Sequence, residues 1–237
     1  MTDVTQFINL DGRDVPVRIR RNARARRIIL RVDPDTDGAM VTLPSRASQR
    51  EALVLVQEKS SWLLAQLAKL PKKIPFEDGV RIPLLGREYT VFHDPKFKGV
   101  ATKEEAGIRL EIRMGGRPEH FARRLGDWLR KEAKAEIYPR AVEMAAQLDR
   151  KIGRVTVRDT KSRWGSCAPN GNLSFSWRLI LTPEWVLDYV VAHEVSHLRH
   201  MDHSPAFWQT VNTFDVRCDA ARAWLNNEAD QLQRYGG

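Results

Sequence analysis

The chain has 237 residues, enough to bury a core without covalent staples, and its length admits one large domain or two small ones. Hydrophobic residues at 42% and charged residues at 29% are ordinary for a globular protein, and no window approaches the roughly 18 consecutive apolar residues of a membrane span. Against 30 Asp+Glu stand 39 Lys+Arg, a net +9; two cysteines, Cys167 and Cys218, cannot build a disulfide framework, and residues 1–6 show no basic-then-apolar leader, so a reduced, cytoplasmic setting is expected with no membrane partner.

In chain order, the β-branched stretches 15–20 and 27–32 predict strands, 33–38 a turn, and 39–43 a third short strand. Arg13, Arg18, Arg20, Arg21, Arg24, Arg26, Arg27 and Arg31 face a single acid, Asp14. Such a cluster suits nucleic acid or another polyanion, with Arg20, Arg21, Arg24 and Arg26 as candidate contacts. It also suits the plain solvent face of two strands, and no aromatic is interleaved to stack bases. Ser48 with Glu51 fits a capping box, and Leu53, Val56, Leu63 and Leu67 continue one helical stripe to about Leu70, which Pro71 to Pro75 ends. Segments 80–85 and 88–92 flank Gly86 and Arg87 as a hairpin, and 108–112 alternates as another strand.

From Pro118 the period changes. Phe121, Leu125 and Trp128 mark a helix to about Tyr138, where Pro139 breaks or kinks it. Val155 and Val157 alternate with polar residues, as do Leu173, Phe175 and Trp177. With Pro169, Asn170 and Gly171 as a turn signal between them, these two runs predict a β-hairpin. Thr182, Pro183 and Glu184 then open a helix with a cap, an N1 proline and a first-turn acid.

That helix carries His193, Glu194 and His197, an HExxH spacing. Residues four apart share a helix face, so both imidazoles reach one ion, with Glu194 beside them to act on a metal-bound water. Taken alone the motif arises by chance often enough to matter, and ordinary hydrogen-bonded core histidines are the plain alternative. Val186, Leu187, Val190, Val191, Ala192, Val195 and Leu198 make the helix apolar on nearly every side, which predicts burial and demands partners for its polar groups. A third ligand is needed. His203 lies six residues past His197, about 600° of rotation, and returns to the ion only if the helix stops; Ser204 and Pro205 supply that stop and the N-cap and N1 of a new helix with Phe207 and Trp208. His200 is the rival, in place if the helix runs on; Glu228 is a weaker alternative, and Cys167 is either a soft ligand or a small structural thiol.

Arg158 through Cys167 (with Arg163, Trp164, Gly165 and Ser166), Trp177 to Ile180, the HExxH run, and Asp202, His203 and Ser204 through Trp208 resemble the YgjP-like metallopeptidase family, and more distantly the SprT-like and Wss1-like zincins. The resemblance reaches upstream to 26–32 and 43–48. It implies His193, His197 and His203 as zinc ligands and Glu194 as the catalytic carboxylate. Two positions depart from the family pattern: Ser176 and Asp202 each stand where Asn is common. The segment from Lys161 to Cys167 is similar to the family's cleft edge, which makes Arg163, Trp164 and Ser166 candidate substrate contacts; alternatively Trp164 and Gly165 pack a hairpin corner.

The resulting expectation is an α+β chain, with a basic, strand-containing N-terminal part (1–115) and a zincin-like catalytic domain (116–237) built on the HExxH helix. The expected function is a zinc-dependent hydrolase, a metallopeptidase using Zn²⁺ on three histidines and a Glu general base. The alternatives are a zinc phosphohydrolase acting on nucleotides, a nucleic-acid-associated protease, or a non-catalytic module with structural zinc. Expected partners are a peptide, protein or nucleotide substrate, with nucleic acid reached through the basic N-terminal arginines.

Overall fold

Alternating burial along residues 4–43 builds one sheet. The computed structural model describes residues 4–34, 36–70, 72–160 and 163–236, and among these the chain is α+β, with six α-helices and three small sheets. Two compact units divide it, Met1–Lys72 and Lys73–Gly237. In the first, β1 (Val4–Leu10), β2 (Arg13–Arg21), β3 (Ile29–Asp33) and β4 (Gly38–Leu43) lie in the order β1-β2-β4-β3, with β2 and β4 parallel. Val15, Val17 and Ile19 of β2 are buried while Arg18 and Arg20 take the other face, the period of two that a half-covered strand requires.

The helical stripe after β4 is two helices, α1 (Gln49–Glu58) and α2 (Ser60–Lys69), interrupted at Lys59 rather than continuous. The Ser48 capping box forms as expected, its hydroxyl accepting from Glu51 N (3.2 Å) and its own N–H donating to Glu51 Oε2 (2.7 Å). Val56, Leu63 and Leu67 close the core over Val41 and Leu43. Pro71 lies outside the described residues.

The second unit holds everything else. Its first sheet, ordered β5-β6-β8-β7, comprises β5 (Arg81–Leu84), β6 (Arg87–His93), β7 (Ala101–Ala106) and β8 (Arg109–Met114). The expected hairpin is present with its turn one residue earlier, through Leu85 and Gly86 rather than Gly86 and Arg87; both are at positive φ (49° and 85°), as a tight two-residue turn demands. Ile82, Val91, Ile112 and Met114 of this sheet are fully buried in the same core as the HExxH helix. The sheet therefore packs with the second unit, and the expected division at 115/116 does not follow the packing.

Helix α3 (Phe121–Gln147) continues through Pro139, so the helix does not end at Tyr138 as the break reading expected. Leu125, Leu129, Ala133, Ile137, Ala141 and Ala145, spaced every four residues, are buried on both sides of the proline. That continuous stripe outweighs the roughly 3 kcal/mol an interior proline costs. Arg140 supports the turn, donating to the Glu136 carbonyl (2.9 Å) and pairing with Glu184 (2.5 Å) and Asp188 (2.8 Å) of the neighbouring helix α4 (Glu184–Ser196). Within α4, nine residues are buried. Thr182 does not cap it: its hydroxyl turns back to the Leu179 carbonyl (2.8 Å), and Pro183 occupies the cap position.

The second sheet differs from the expected hairpin. β9 (Val155–Arg158) pairs parallel with β11 (Leu173–Ser176), and the hairpin partner of β11 is β10 (Gly165–Cys167), at the sheet's edge. The turn at Pro169 to Gly171 thus serves β10 and β11, and Trp177 begins a 3₁₀ helix to Leu181 rather than extending the strand. Ser176 caps that helix, accepting from Arg178 N (3.4 Å), a role open to the Asn it replaces. Helices α5 (Pro205–Asn212) and α6 (Cys218–Leu232) complete the unit. Among the described residues no helix is long and apolar enough to cross a membrane.

Candidate metal centre and cleft

Helix α4 delivers His193 and Glu194 from its last turn and ends at Ser196, with His197 as its C-cap. The chain then loops, and α5 starts where expected: the Ser204 hydroxyl accepts from Phe207 N (3.4 Å), with Pro205 at the first helical position. Asp202 braces the loop, its Oδ1 accepting from Ser204 N (3.1 Å), which an Asn oxygen would do equally. The break carries His203 back to the helix. His203 Nε2 lies 3.1 Å from His193 Nε2, and the candidate ligand atoms of His193, His197 and His203 are all within 4.8 Å of one another. Neither His200 nor Glu228 nor Cys167 belongs to this cluster.

The donor set fits a metal ion. Two nitrogens, each about 2.0–2.1 Å from one tetrahedral zinc, stand about 3.3 Å apart, close to the 3.1 Å between His193 and His203. His197 Nδ1 lies 2.9 Å from the His200 backbone carbonyl and donates to it, which leaves Nε2 with the free lone pair. Burial, then the neighbouring His197 and His203, push the His193 pKa down to about 4, so its ring stays neutral, as a ligand must be. Phe207 backs all three imidazoles, with ring centroids 4.9, 4.6 and 4.8 Å from His193, His197 and His203.

Glu194 is 7% exposed, and burial pushes its pKa up to about 7 against the pull of Arg163. The backbone of Gly165 lies directly over it. A Cβ there would sit 2.5–2.7 Å from Glu194 Cγ, Oε1 and Cδ, so only glycine lets edge strand β10 pass so close to the carboxylate. Glu194 and His193 line an open cleft of about 330 Å³ with Arg163, Trp164, Tyr189 and Arg222.

Of the three expected substrate contacts, Arg163 and Trp164 line this cleft; Ser166 instead faces a separate depression on the outer side of the β9–β11 sheet. The Cys167 thiol is pushed up to about 11 by burial and by the charge of Glu194, the setting of a structural thiol. Sequence reasoning missed Tyr189 and Arg222, and offered Gly165 only as a hairpin-corner residue. Tyr189 was within reach, four residues before His193 on the same helix face, where it meets that ring edge-on at 5.9 Å. Arg222 comes from α6, with its guanidinium over Trp208 at 5.3 Å, and no local pattern marks it.

The N-terminal arginines belong to the first unit. Arg21 donates to the carbonyls of Ser45 (3.2 Å) and Ala47 (2.8 Å) and so helps hold the loop after β4, while Arg20 donates to the hydroxyl of its β4 partner Thr42 (3.2 Å). Arg24 and Arg26 are exposed.

Among curated proteins none matches the chain. Among solved structures it is similar to the metallopeptidase zymogen of Pyrococcus abyssi, abylysin, at 19% identity over 44% of this chain and 97% of that one, with a TM-score of 0.35. The family described as YgjP-like, metallopeptidase domain, matches residues 26–228, which takes in both the histidine cluster and β10. With that match over most of its length, the chain belongs to the YgjP-like metallopeptidase family.

Proposed function

We propose that the chain is a zinc-dependent peptidase in which His193, His197 and His203 hold the ion and Glu194 is the proton-transfer group. The observation that carries this is the convergence of three imidazoles, one of which lines an open cleft beside the buried Glu194 carboxylate. When bound, zinc supplies Lewis acidity toward a carbonyl and lowers the pKa of water. Glu194, raised to about 7, is matched to accepting a proton near neutrality and returning it to a departing amine.

Edge strand β10 aligns the substrate. Trp164 O and Ala168 N bond to β11, so by antiparallel alternation the N–H and C=O groups of Gly165 and Cys167 point away from the sheet, towards an added strand. Arg163 and Trp164 form the adjoining wall. An extended peptide fits this edge better than a nucleotide does, because the free groups repeat along the strand.

Metal analysis of the purified protein should give about one zinc per chain, and His193→Ala or His197→Ala should lose most of it. Glu194→Gln should keep zinc but lose about 10²–10⁴-fold in turnover of a peptide substrate. Full zinc retention in both histidine variants, or hydrolysis of nucleoside triphosphates and of no peptide, would sink the reading.

A further inference from the structure

The outer face of the β9–β11 sheet is polar by register. Ser166, Ser174 and Thr156 stand side by side across β10, β11 and β9, while Val155, Leu173 and Phe175 point into the core. Arg154, just before β9, and Arg158, at its end, flank this row two residues either side of Thr156, and Arg163 precedes β10. Together they line a depression of about 360 Å³. Among the described residues no carboxylate lies within 4.0 Å of the side-chain nitrogens of Arg154, Arg158, Arg163 or Arg222. The acid nearest in sequence, Asp159, is already taken, paired with the buried Arg178 and with Arg130 at 3.9 Å. Arg163 belongs to this depression and to the cleft at once, and Arg222 stands on the cleft's other wall.

Arg154 and Arg158, exposed beside hydroxyl donors and with no paired carboxylate, form a receptor for anions, which Arg163 and Arg222 extend to the cleft they share with Glu194. The depression crosses the sheet from β9 to Arg163, Ser166 and Ala168 at β10, the strand whose free edge can pair with a peptide backbone. The depression holds no aromatic ring, so it offers no platform for nucleic-acid bases. We infer that the substrate segment is acidic: Arg163 takes a glutamate or aspartate side chain of a peptide laid along β10, Arg154 and Arg158 take those of the part that crosses the outer face toward β9, and Arg222 takes one within the cleft. This rests on the peptidase reading and deepens it, by naming the class of substrate.

Fluorescence anisotropy on the full chain carrying Glu194→Gln, with zinc bound, tests it using three labelled probes. These are a ten-residue peptide rich in glutamate, its glutamine counterpart, and a ten-nucleotide thymidine strand. The glutamate peptide should bind about tenfold more tightly than the glutamine one, and Arg154→Gln with Arg158→Gln should remove about tenfold. Zinc content and circular dichroism verify that the double variant is folded. Equal affinity for the two peptides, or unchanged affinity in the double variant, overturns the inference. So does tighter binding of the oligonucleotide through the same two arginines. Cleavage by the wild-type chain is followed separately, by mass spectrometry of a peptide library. Arginine-dependent binding without any cleavage fails the peptidase reading alone. Cleavage of uncharged peptides, with no preference for glutamate in binding, fails this inference alone.

Discussion

Gly165 is the residue on which cleft geometry turns, although it carries no functional group. Its backbone closes over Glu194 so tightly that a methyl group would overlap three atoms of the carboxylate side chain. The strand can stay in place only if Glu194 moves. Gly165→Ala should therefore lower peptide turnover by about 10²-fold, the scale of a 1 Å misplacement of a reacting group, while zinc stays stoichiometric because no histidine is touched. Wild-type turnover in that variant, or loss of zinc, would show that the contact does not position the carboxylate. The sequence marks His193, Glu194 and His197 because their chemistry is tied to a helical spacing. It marks Gly165 only as a corner glycine, since its partner lies 29 positions away. Arg222 is hidden for the same reason: α6 brings it to His193 through packing that no local period records.

At the scale of elements, the end of α4 decides which histidine completes the cluster. That the helix stops before His203 was legible from Ser204 and Pro205, which start α5 as expected, but not where it stops: α4 ends at Ser196, eight residues earlier, beyond the reach of any pre-proline restriction. His200 contributes a backbone carbonyl to His197 rather than a side chain to the cluster. Consequently His203→Ala should reduce zinc affinity by a hundredfold or so more than His200→Ala, as seen by competition with a chromophoric chelator. The reverse order would place the third ligand on the wrong residue. Elements settled by distant contacts were less legible. The alternation of 155–158 and 173–176 correctly marked strands, but their parallel pairing depends on β10 entering between them in sequence and taking the outer position. Pro139 signals an end that the four-residue stripe of α3 overrides.

At the scale of the molecule, two cores divide the chain, one ending at Leu70 and the other drawn from residues 76–232. The change from strand to helix patterning at Pro118 suggested a boundary near 115, but pattern reports local period and not which core a sheet covers. From the segment before 116, the second core takes Phe76, Val80, Ile82, Leu84, Tyr89, Val91, Ile112 and Met114. Each buried side chain of this kind contributes about 1.5–3 kcal/mol, so removing all eight costs about 12–24 kcal/mol, comparable to or above the roughly 5–15 kcal/mol that holds a domain folded. The basic N-terminal arginines, by contrast, lie wholly in the first unit and contribute nothing to that core. A fragment of residues 73–237 should therefore unfold cooperatively in urea and bind about one zinc. A fragment of 116–237 should show neither a cooperative transition nor stoichiometric metal, because the helix that carries His193 would lose the sheet packed in its core. Circular dichroism with metal analysis on the two fragments decides this. A well-folded, zinc-binding 116–237 would mean that the β5–β8 sheet is dispensable and that the functional domain begins at the change of pattern after all.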